Sequence, residues 1–426
     1  MSKEKIKSEI PSYLLMASIF IVSTILALLL NISITDIMKD YQFSVLIILI
    51  VMELFTNLIS STGIIEKISL KISVISKGNK KKCLILFGLL IFFVSAFLNN
   101  ITAVLIVLPI IFVLLKAIGI DQKYVNIFFA SILALSNTGG ASSPIGDFPA
   151  IVIMNSGITS FRAYLFRAFP FFFVISIALI TWWQFFVKEA NKDDKKKNLS
   201  IDLLQSKYKN IEVNKKVVIG LLTIFVLMFI CWSIVPQNII PPEVIALLGC
   251  VIGIVYSVIC REKIKSLVDF KPVLTIASFL FLANVISHTG ILTTLANNLQ
   301  SLISNPKLLL IAIMIMTSLI SGLFGAGPAA SAMMPVIVYL CETTFNTQSD
   351  WIAIAYASSI CAGSSLFMWS ATAGFILSKN VNEAILIDST RKRLSWNISN
   401  YMKCGIQNYV IQMSLSILLI YLAIML

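Results

Sequence analysis

The chain of 426 residues is 58% hydrophobic and 12% charged, and its mean hydropathy is +0.93. Soluble globular proteins carry about 25% charged residues, so this composition excludes a soluble fold and predicts an all-α polytopic membrane protein. The formal charge of +13 does not indicate a nucleic-acid partner. Most of the lysines lie in short segments between apolar spans, where they determine membrane topology.

Enzymatic, metal and cofactor chemistry has no signature in the sequence. The seven cysteines are scattered without a CxxC pair, and His288 is the only histidine, which excludes a multi-histidine metal site. The chain also lacks a Walker loop and a G-x-S-x-G motif. We therefore expect a protein that is not an enzyme, needs no cofactor and draws its energy from an ion gradient.

The first two spans and the basic segment after them set the predicted topology. Apolar segments at 13–31 and 43–65 are each close to the roughly 20 residues that cross ~30 Å of hydrocarbon. Segment 66–82 then carries six lysines. By the positive-inside rule this segment is a cytoplasmic loop, which places the N-terminus in the cytoplasm as well.

The next apolar segment, 83–117, is too long for one span and is interrupted by Asn99-Asn100. It predicts a re-entrant hairpin with the asparagines at its tip, because each half is slightly short for a full crossing. A broken helix at 124–154 and a span at 165–187 then bring the chain to the basic cytoplasmic linker 188–216. A single crossing at 83–117 would place this linker outside.

The second half repeats this order of elements. We predict three spans, a hairpin broken near Gly325, a broken helix and a last span, at 217–235, 244–259, 273–295, 308–340, 352–377 and 406–425. The total is nine spans plus two re-entrant hairpins, with the C-terminus outside. Residues 1–187 and 217–426 then form two repeats.

Identical residues at nearly constant offsets between the two halves support this duplication. Residues 57–64 match 284–291 at an offset of 227, with Asn, Ile, Ser, Thr, Gly and Ile in register. The hairpin tips align at an offset of 226 and the helix breaks at 223. Because the second span enters from outside and its counterpart from inside, the repeat is inverted. Secondary transporters build alternating access from such repeats.

The stretch 135–149 is the polar centre of the chain. Gly139-Gly140, Pro144 and Pro149 break the helix and leave backbone groups without helical partners, which hydrocarbon tolerates only beside protein or a water-filled cavity. Asp147 lies in this stretch. An ionisable group at membrane depth is a functional-site hypothesis by default, but an aspartate before Phe-Pro is also a strong helix N-cap.

Two segments resemble the ion transporter superfamily: SAFLNNITAVLIVLP at 95–109 and SNTGGASSPIGDFP at 136–149. That group includes citrate and dicarboxylate carriers, arsenite permeases, the melanosomal P protein and NhaD-type sodium/proton antiporters. The resemblance covers nearly the whole chain. It implies a homodimeric, elevator-like transporter of the bacterial inner (plasma) membrane, in which hairpin tips and broken helices bind substrate and coupling ion together.

The chain departs from the superfamily pattern at two places. Many members carry Asp-Asn at both tips, where this chain has Asn99-Asn100 and Gly325-Ala326. Residues 362–366 read AGSSL, where the family often has Gly-Gly-Asn-Gly-Thr. The acidic partner of a paired carboxylate site is missing from these positions, which argues against a purely carboxylate-based cation exchange. Glu53, inside the second span, either faces the cavity or lies near a membrane interface.

Hard cations such as Na⁺ bind oxygen ligands, and the first half supplies amide, hydroxyl and carboxylate oxygens. Its candidate binding residues are Asn99, Asn100, Thr102, Ser136, Asn137, Thr138, Gly139, Gly140, Ser142, Ser143 and Asp147. A Na⁺ site is predicted at Asn99, Asn100, Ser136, Asn137 and Asp147. The second half offers hydroxyl donors and no carboxylate, which suits the anionic end of a substrate. Its candidates are Gly325, Gly327, Ser331, Ser359, Gly363, Ser364, Ser365, Ser370 and Thr372.

These observations predict a secondary active transporter that moves a small anion, similar to citrate, a dicarboxylate or an oxyanion, together with Na⁺ or H⁺. The alternative is a Na⁺/H⁺ antiporter, which the run Ser-Pro-Ile-Gly-Asp at 143–147 favours and the missing second carboxylate disfavours. A channel could use the same hairpins, but it would conduct without gating. The expected partners are the lipid bilayer, a small ionic solute and a second copy of the chain.

Overall fold

The structure, a computed structural model, describes residues 3–39, 41–188, 213–236, 239–260, 270–388 and 391–425. The first half contains α1 (Lys3–Leu29), α2 (Ile34–Lys39), α3 (Phe43–Ser61), α4 (Ile64–Ser76), α5 (Lys80–Phe97), α6 (Asn100–Ala117), α7 (Gln122–Ala141), α8 (Phe148–Asn155) and α9 (Phe161–Phe186). The second half contains α10 (Lys215–Ile234), α11 (Pro242–Ile259), α12 (Phe270–His288), α13 (Ile291–Leu302), α14 (Pro306–Phe324), α15 (Ala326–Thr343), α16 (Ser349–Ser364), α17 (Gly374–Glu383) and α18 (Ile398–Met425).

The predicted class of an all-α polytopic membrane protein is confirmed. Six helices, α3, α9, α10, α11, α14 and α18, are long and apolar enough to cross a membrane by length and composition, and shorter apolar helices accompany them. Within the described ranges the chain forms no β-strand, only a single bridge between Ile387 and Arg393. Most of the predicted linker, 189–212, lies outside the described residues.

Local side-chain caps start the helices that carry the hairpins and breaks. The side chain of Asn79 accepts a hydrogen bond from the Lys82 amide at 2.8 Å at the start of α5. Asp121 does the same for the Tyr124 amide at 2.7 Å at the start of α7. Such caps satisfy amides that the first helical turn leaves without partners.

Both predicted hairpins fold back on themselves. The Tyr124 hydroxyl at the start of α7 donates to the Lys80 carbonyl at the start of α5, at 3.0 Å. The chain from α5 through α6 therefore returns to the end it started from, which excludes a single crossing. In the second half the amide of Gln300, before α14, donates to the Thr344 hydroxyl, after α15, at 3.1 Å.

The two broken helices run antiparallel. Gln122, at the start of α7, exchanges hydrogen bonds of 2.6 and 3.1 Å with the backbone of Ser395, which follows α17. Conversely, Thr159, which follows α8, donates to Asp350 at the start of α16 at 2.7 Å. Each broken helix therefore starts where the other has ended, as an inverted repeat requires. The repeat boundaries and the sides of the membrane remain predictions.

Two segments differ from their predicted form. The cytoplasmic loop expected at 66–82 is largely the helix α4, and the span expected at 273–295 ends at His288 before the separate helix α13. The cause is the same in both halves: Gly63 and Gly290 each adopt φ of +72°, a left-handed conformation that ends a helix. The Thr-Gly pair that revealed the duplication is thus also the stop signal.

The helices pack in two groups. The central group, α5, α7, α9, α14, α16 and α18, surrounds both helix breaks. The outer group consists of α1, α3, α10, α11 and α12. α8 and α15 pack against the central group and also contact α3 and α12 of the outer group, so they join the two groups. Exposed apolar side chains on α10 and α11 suit a lipid-facing surface.

Backbone contact between helices inside the central group depends on two glycines. A methyl group added at Gly139 in α7 would overlap the Phe92 carbonyl oxygen of α5. A methyl group added at Gly363 in α16 would overlap the Ser318 carbonyl oxygen of α14 in the same way. Small residues allow membrane helices to approach closely, so these glycines fix the distance between each hairpin and the broken helix of its own half.

We expect Gly139→Ala to destabilise the protein by about 1–3 kcal/mol, because the added methyl overpacks a backbone contact. Thermal unfolding of the detergent-solubilised protein measures the effect as a lower Tm. Gly327→Ala is the control, since its methyl meets only the Phe148 ring at 3.4 Å, an ordinary contact. Equal melting temperatures for the two variants would contradict the proposed backbone contact.

Candidate ion and substrate site

The first hairpin tip lies directly on the break between α7 and α8. The side-chain amide of Asn100 donates to Asp147 Oδ2 at 2.9 Å. The Ser143 hydroxyl donates to the Ala96 carbonyl near the end of α5. Gly140 makes the approach possible, because a methyl group there would lie 2.7 Å from the Asn100 amide. The segments 95–109 and 136–149 therefore meet at one place.

Asp147 has two bonding roles. Its Oδ1 accepts from the Phe148 backbone amide at 2.9 Å, which makes it the N-cap of α8. Its Oδ2 accepts from Asn100 on the hairpin tip. The cap and the functional-site readings of the sequence are thus compatible, since one carboxylate both starts the second half-helix and binds the tip to it.

Asn99 and Asn100 divide their tasks at the tip. The Asn99 side chain caps α6 by accepting from the Ile101 amide at 3.0 Å, and it is half-buried. Asn100 is 2% exposed, and its Oδ1 has no hydrogen-bond partner among the described residues. An unsatisfied buried oxygen beside a carboxylate is available to a cation or a water molecule.

The second hairpin tip lies on the second break in a similar manner. The Ala326 amide, at the tip, donates to the Ser370 carbonyl at 3.3 Å. The Ser321 hydroxyl donates to the Ile360 carbonyl of α16 at 2.8 Å. Ser370 uses its own hydroxyl to bond the freed carbonyls of the break, including that of Phe367 at 2.7 Å.

One buried asparagine joins the two broken helices. The Asn137 side-chain amide, in α7, donates to the hydroxyls of Ser364 and Ser365 at 3.1 and 3.2 Å. All three side chains are buried. Residues more than two hundred positions apart in sequence therefore meet where the breaks begin.

Tyrosine hydroxyls satisfy the last carbonyls before both breaks. Tyr164 of α9 donates to the Ala141 carbonyl at 2.8 Å, and Tyr401 of α18 donates to the Ser365 carbonyl at 2.6 Å. The sequence predicts backbone groups without helical partners at the breaks, and these two carbonyls find partners in tyrosine hydroxyls. A tyrosine in the first turns of the helix that follows each broken helix was the sequence signal for these bonds.

A small cavity of about 50 Å³ lies beside Asp147. Its polar lining comes from α3, the first tip and both breaks: Glu53, Thr56, Asn99, Asp147 and Thr372. A water molecule needs roughly 10–15 Å³ of such volume, so the cavity holds a few waters or a small cation.

Glu53 is the residue that the sequence reasoning left undecided. It is a carboxylate within α3, an apolar span of mean hydropathy 2.2, and it lines the same cavity as Asp147. A second carboxylate, which the hairpin tips lack, therefore borders the cavity from a helix of the outer group. No alignment of the two repeats could have shown this, because Glu53 lies outside the tips and breaks.

Several predicted residues bond away from the cavity. Ser136, Ser142 and Ser359 donate to carbonyls of their own helices, and Thr138 pairs with Ser176 at 2.8 Å. Ser331 is buried and its hydroxyl has no partner among the described residues, Thr102 is half-buried, and Gly327 lies beside Phe148. The predicted Na⁺ set is therefore divided: Asn99, Asn100 and Asp147 are together, while Asn137 contacts the second broken helix. Their roles in binding remain predictions.

Among the described residues, no three His, Cys, Asp or Glu side chains are placed to hold a metal ion together. Two hairpin tips, two helix breaks and a half-buried carboxylate beside a small cavity instead define a membrane transporter of the kind built from broken helices. The chain belongs to the citrate transporter family, whose model matches residues 12–361 and 228–426. The sequence-based resemblance to the ion transporter superfamily is confirmed.

Curated relatives are distant but mostly cover the chain. The "46 kDa membrane protein" of Mycobacterium leprae is 22% identical over 373 residues, 86% of this chain and 85% of its own. Magnetosome protein MamN of Magnetospirillum gryphiswaldense is 22% identical over 342 residues, 79% and 76% of the two chains. The P protein of Sus scrofa is 26% identical over 169 residues, 38% of this chain and 20% of its own.

We expect Asn137→Ala to lower stability by about 1 kcal/mol for each hydrogen bond it loses between the broken helices. Asn380→Ala removes an amide that bonds only its own helix, to the Ile376 carbonyl at 2.8 Å, and serves as the control. Thermal melts in detergent compare the two. If the Tm of Asn137→Ala is no lower than that of Asn380→Ala, the hydrogen bonds of Asn137 do not hold the two broken helices together.

Proposed function

We propose that this protein is a secondary active transporter that moves a small anion by alternating access and couples this movement to Na⁺ or H⁺. The observation that carries the proposal is the bond between Asn100 and Asp147 beside a cavity that also reaches Thr372 of the second break. A cation bound there would touch a tip and both breaks at once. Binding of the cation would therefore change the stability of the contacts between these elements, and ion coupling requires such a change.

The anion is assigned to the donors between the two broken helices. Ser364 and Ser365 each donate to the Cys361 carbonyl at 3.0 Å and accept from Asn137. An entering carboxylate or oxyanion can recruit these hydroxyls and the amide, because all are hydrogen-bond donors. The description of the family as citrate transporters supports an anionic substrate.

The movement is assigned to the two packing groups. In an elevator-like mechanism the central group carries the site across the membrane, and the outer group stays fixed. The contacts of α8 with α3 and of α15 with α12 are then the surfaces that slide. Asp147 lies at the start of α8, so the proposed cation site borders one of these surfaces.

The central prediction concerns the charge of Asp147. We expect Asp147→Asn to abolish the dependence of transport on a Na⁺ or pH gradient while the protein still folds, because asparagine is an equally good N-cap but carries no charge. The measurement is uptake of citrate, succinate, sulfate or arsenite by proteoliposomes under imposed gradients. Asp36→Asn, an exposed carboxylate paired with Lys39, is the control. Unchanged coupling would reduce Asp147 to a helix cap.

Na⁺/H⁺ antiport is a second candidate, and the presence of Glu53 in the same cavity favours it. Two carboxylates that border one small space can exchange a proton for a sodium ion. Antiport predicts that Na⁺ added to proteoliposomes changes the internal pH with no anion present. Anion symport predicts no such change.

For antiport we expect Glu53→Gln to abolish the sodium-triggered pH change, since only one titratable carboxylate would remain at the cavity. Glu342→Gln, which removes an exposed carboxylate on α15, should leave the signal intact. A full signal from Glu53→Gln would exclude Glu53 from the exchange. Suppose instead that the unmutated protein shows no sodium-triggered pH change and that Glu53→Gln loses anion uptake. Glu53 would then be assigned to symport.

A further inference from the structure

An apolar groove of about 730 Å³ runs along the surface between the central and outer groups. Its walls are α5, α9 and α10, with one contact from α3. They are almost entirely apolar: Ile59, Phe93, Val94, Phe97, Leu98, Leu165, Phe166, Leu222, Phe225, Val226, Phe229, Ile230 and Ile234. Such a groove in a membrane protein faces acyl chains.

The groove has the depth of one membrane leaflet. Its wall on α10 extends from Leu222 to Ile234. At 1.5 Å per residue this stretch is about 18 Å long, close to half of the ~30 Å hydrocarbon thickness. Leu98, directly before the hairpin tip, lines the groove as well. A chain lying in the groove would therefore reach from one interface to the depth of the tip.

A second hollow of about 340 Å³ lies beside one end of the groove and is lined by Ser160, Arg162, Ala163, Phe166 and Arg167. Arg162 and Phe166 line both spaces, so the two lie side by side. This end lies at the start of α9, where the predicted topology places the outer interface. A guanidinium and a hydroxyl at an interface are suited to a phosphate oxygen.

The positive charge at this end comes from Arg162. Arg167 forms an ion pair with Asp350 at 2.7 Å, which neutralises it. Arg162 is exposed and forms no ion pair with a described carboxylate. A net cation at the mouth of an apolar groove therefore complements an anionic headgroup on an acyl chain.

We propose that this groove binds an anionic glycerophospholipid, with its phosphate on Arg162 and one acyl chain along α10. A zwitterionic lipid fits the groove equally well but gains less from the single guanidinium. The lipid would lie where α9 meets α10 and beside the first hairpin tip. It would thus fill the seam between the two groups without belonging to the transport site.

The test is native mass spectrometry of the purified full chain with phosphatidylglycerol or phosphatidylcholine. The unmutated protein should retain phosphatidylglycerol preferentially. Arg162→Gln should weaken that retention about five-fold, the effect of roughly 1 kcal/mol for one basic residue near a headgroup. Phosphatidylcholine retention should fall less, because its choline cation offsets the phosphate charge. Arg391→Gln, which removes an exposed arginine that lines neither hollow, is the control.

A second variant tests the acyl chain. Val226→Trp places an indole in the groove and should reduce retention of both lipids without lowering the Tm, because Val226 is 54% exposed. Glycerol phosphate should not displace the lipid, which separates a lipid site from a phosphate site. Equal retention of both lipids, or no effect of either variant, would overturn the proposal. Dissociation of a dimer by Val226→Trp with lipid retention unchanged would show the groove to be an interface between copies instead.

Discussion

The constraint on which this structure depends is that a helix broken at membrane depth must still find hydrogen-bond partners for its backbone N–H and C=O groups. Both breaks meet it with side chains from neighbouring elements. Tyrosines from the following helices, Tyr164 and Tyr401, bond the last carbonyls before the breaks. Ser143 bonds the end of the first hairpin arm, and Asp147 caps the half-helix after the first break. The Ser143 bond also joins the first hairpin to its break, and the Ala326 amide joins the second hairpin to Ser370. The polar site is therefore a consequence of how the breaks are stabilised.

The two halves share the glycines that set their backbone geometry but differ in the polar groups they present. Gly139 and Gly363 bring each broken helix onto its hairpin, and Gly63 and Gly290 end equivalent spans. The polar groups between these fixed points are not equivalent: the first tip presents amides to a carboxylate, whereas the second presents backbone and hydroxyls. This asymmetry supports the proposed division into a cation half and an anion half, joined by Asn137.

The cavity beside Asp147 is bordered by residues of both packing groups, so movement of one group relative to the other would change its shape. Glu53 belongs to the outer group and Asp147 to the break beside the central group, yet both border the same space. Any relative movement of the groups would separate the carboxylates and change the affinity for a shared cation. The lipid groove lies along another part of the same seam, with α9 on one side and α10 on the other. Ion coupling and lipid binding would then act on one boundary from opposite sides.

The sequence by itself determined the membrane class and located both hairpins and both breaks, because hydropathy, chain length and Gly, Pro or Asn interruptions are local properties. It also placed Asp147 and the tip asparagines correctly beside each other. It misjudged 66–82 and the end of the span at His288, where one left-handed glycine outweighs an apolar pattern. Only the tertiary structure decided that Asn137 meets Ser364 and Ser365, and that Glu53 joins Asp147. Those pairings depend on which faces of distant helices meet, and the order of residues along one helix does not specify the face of another.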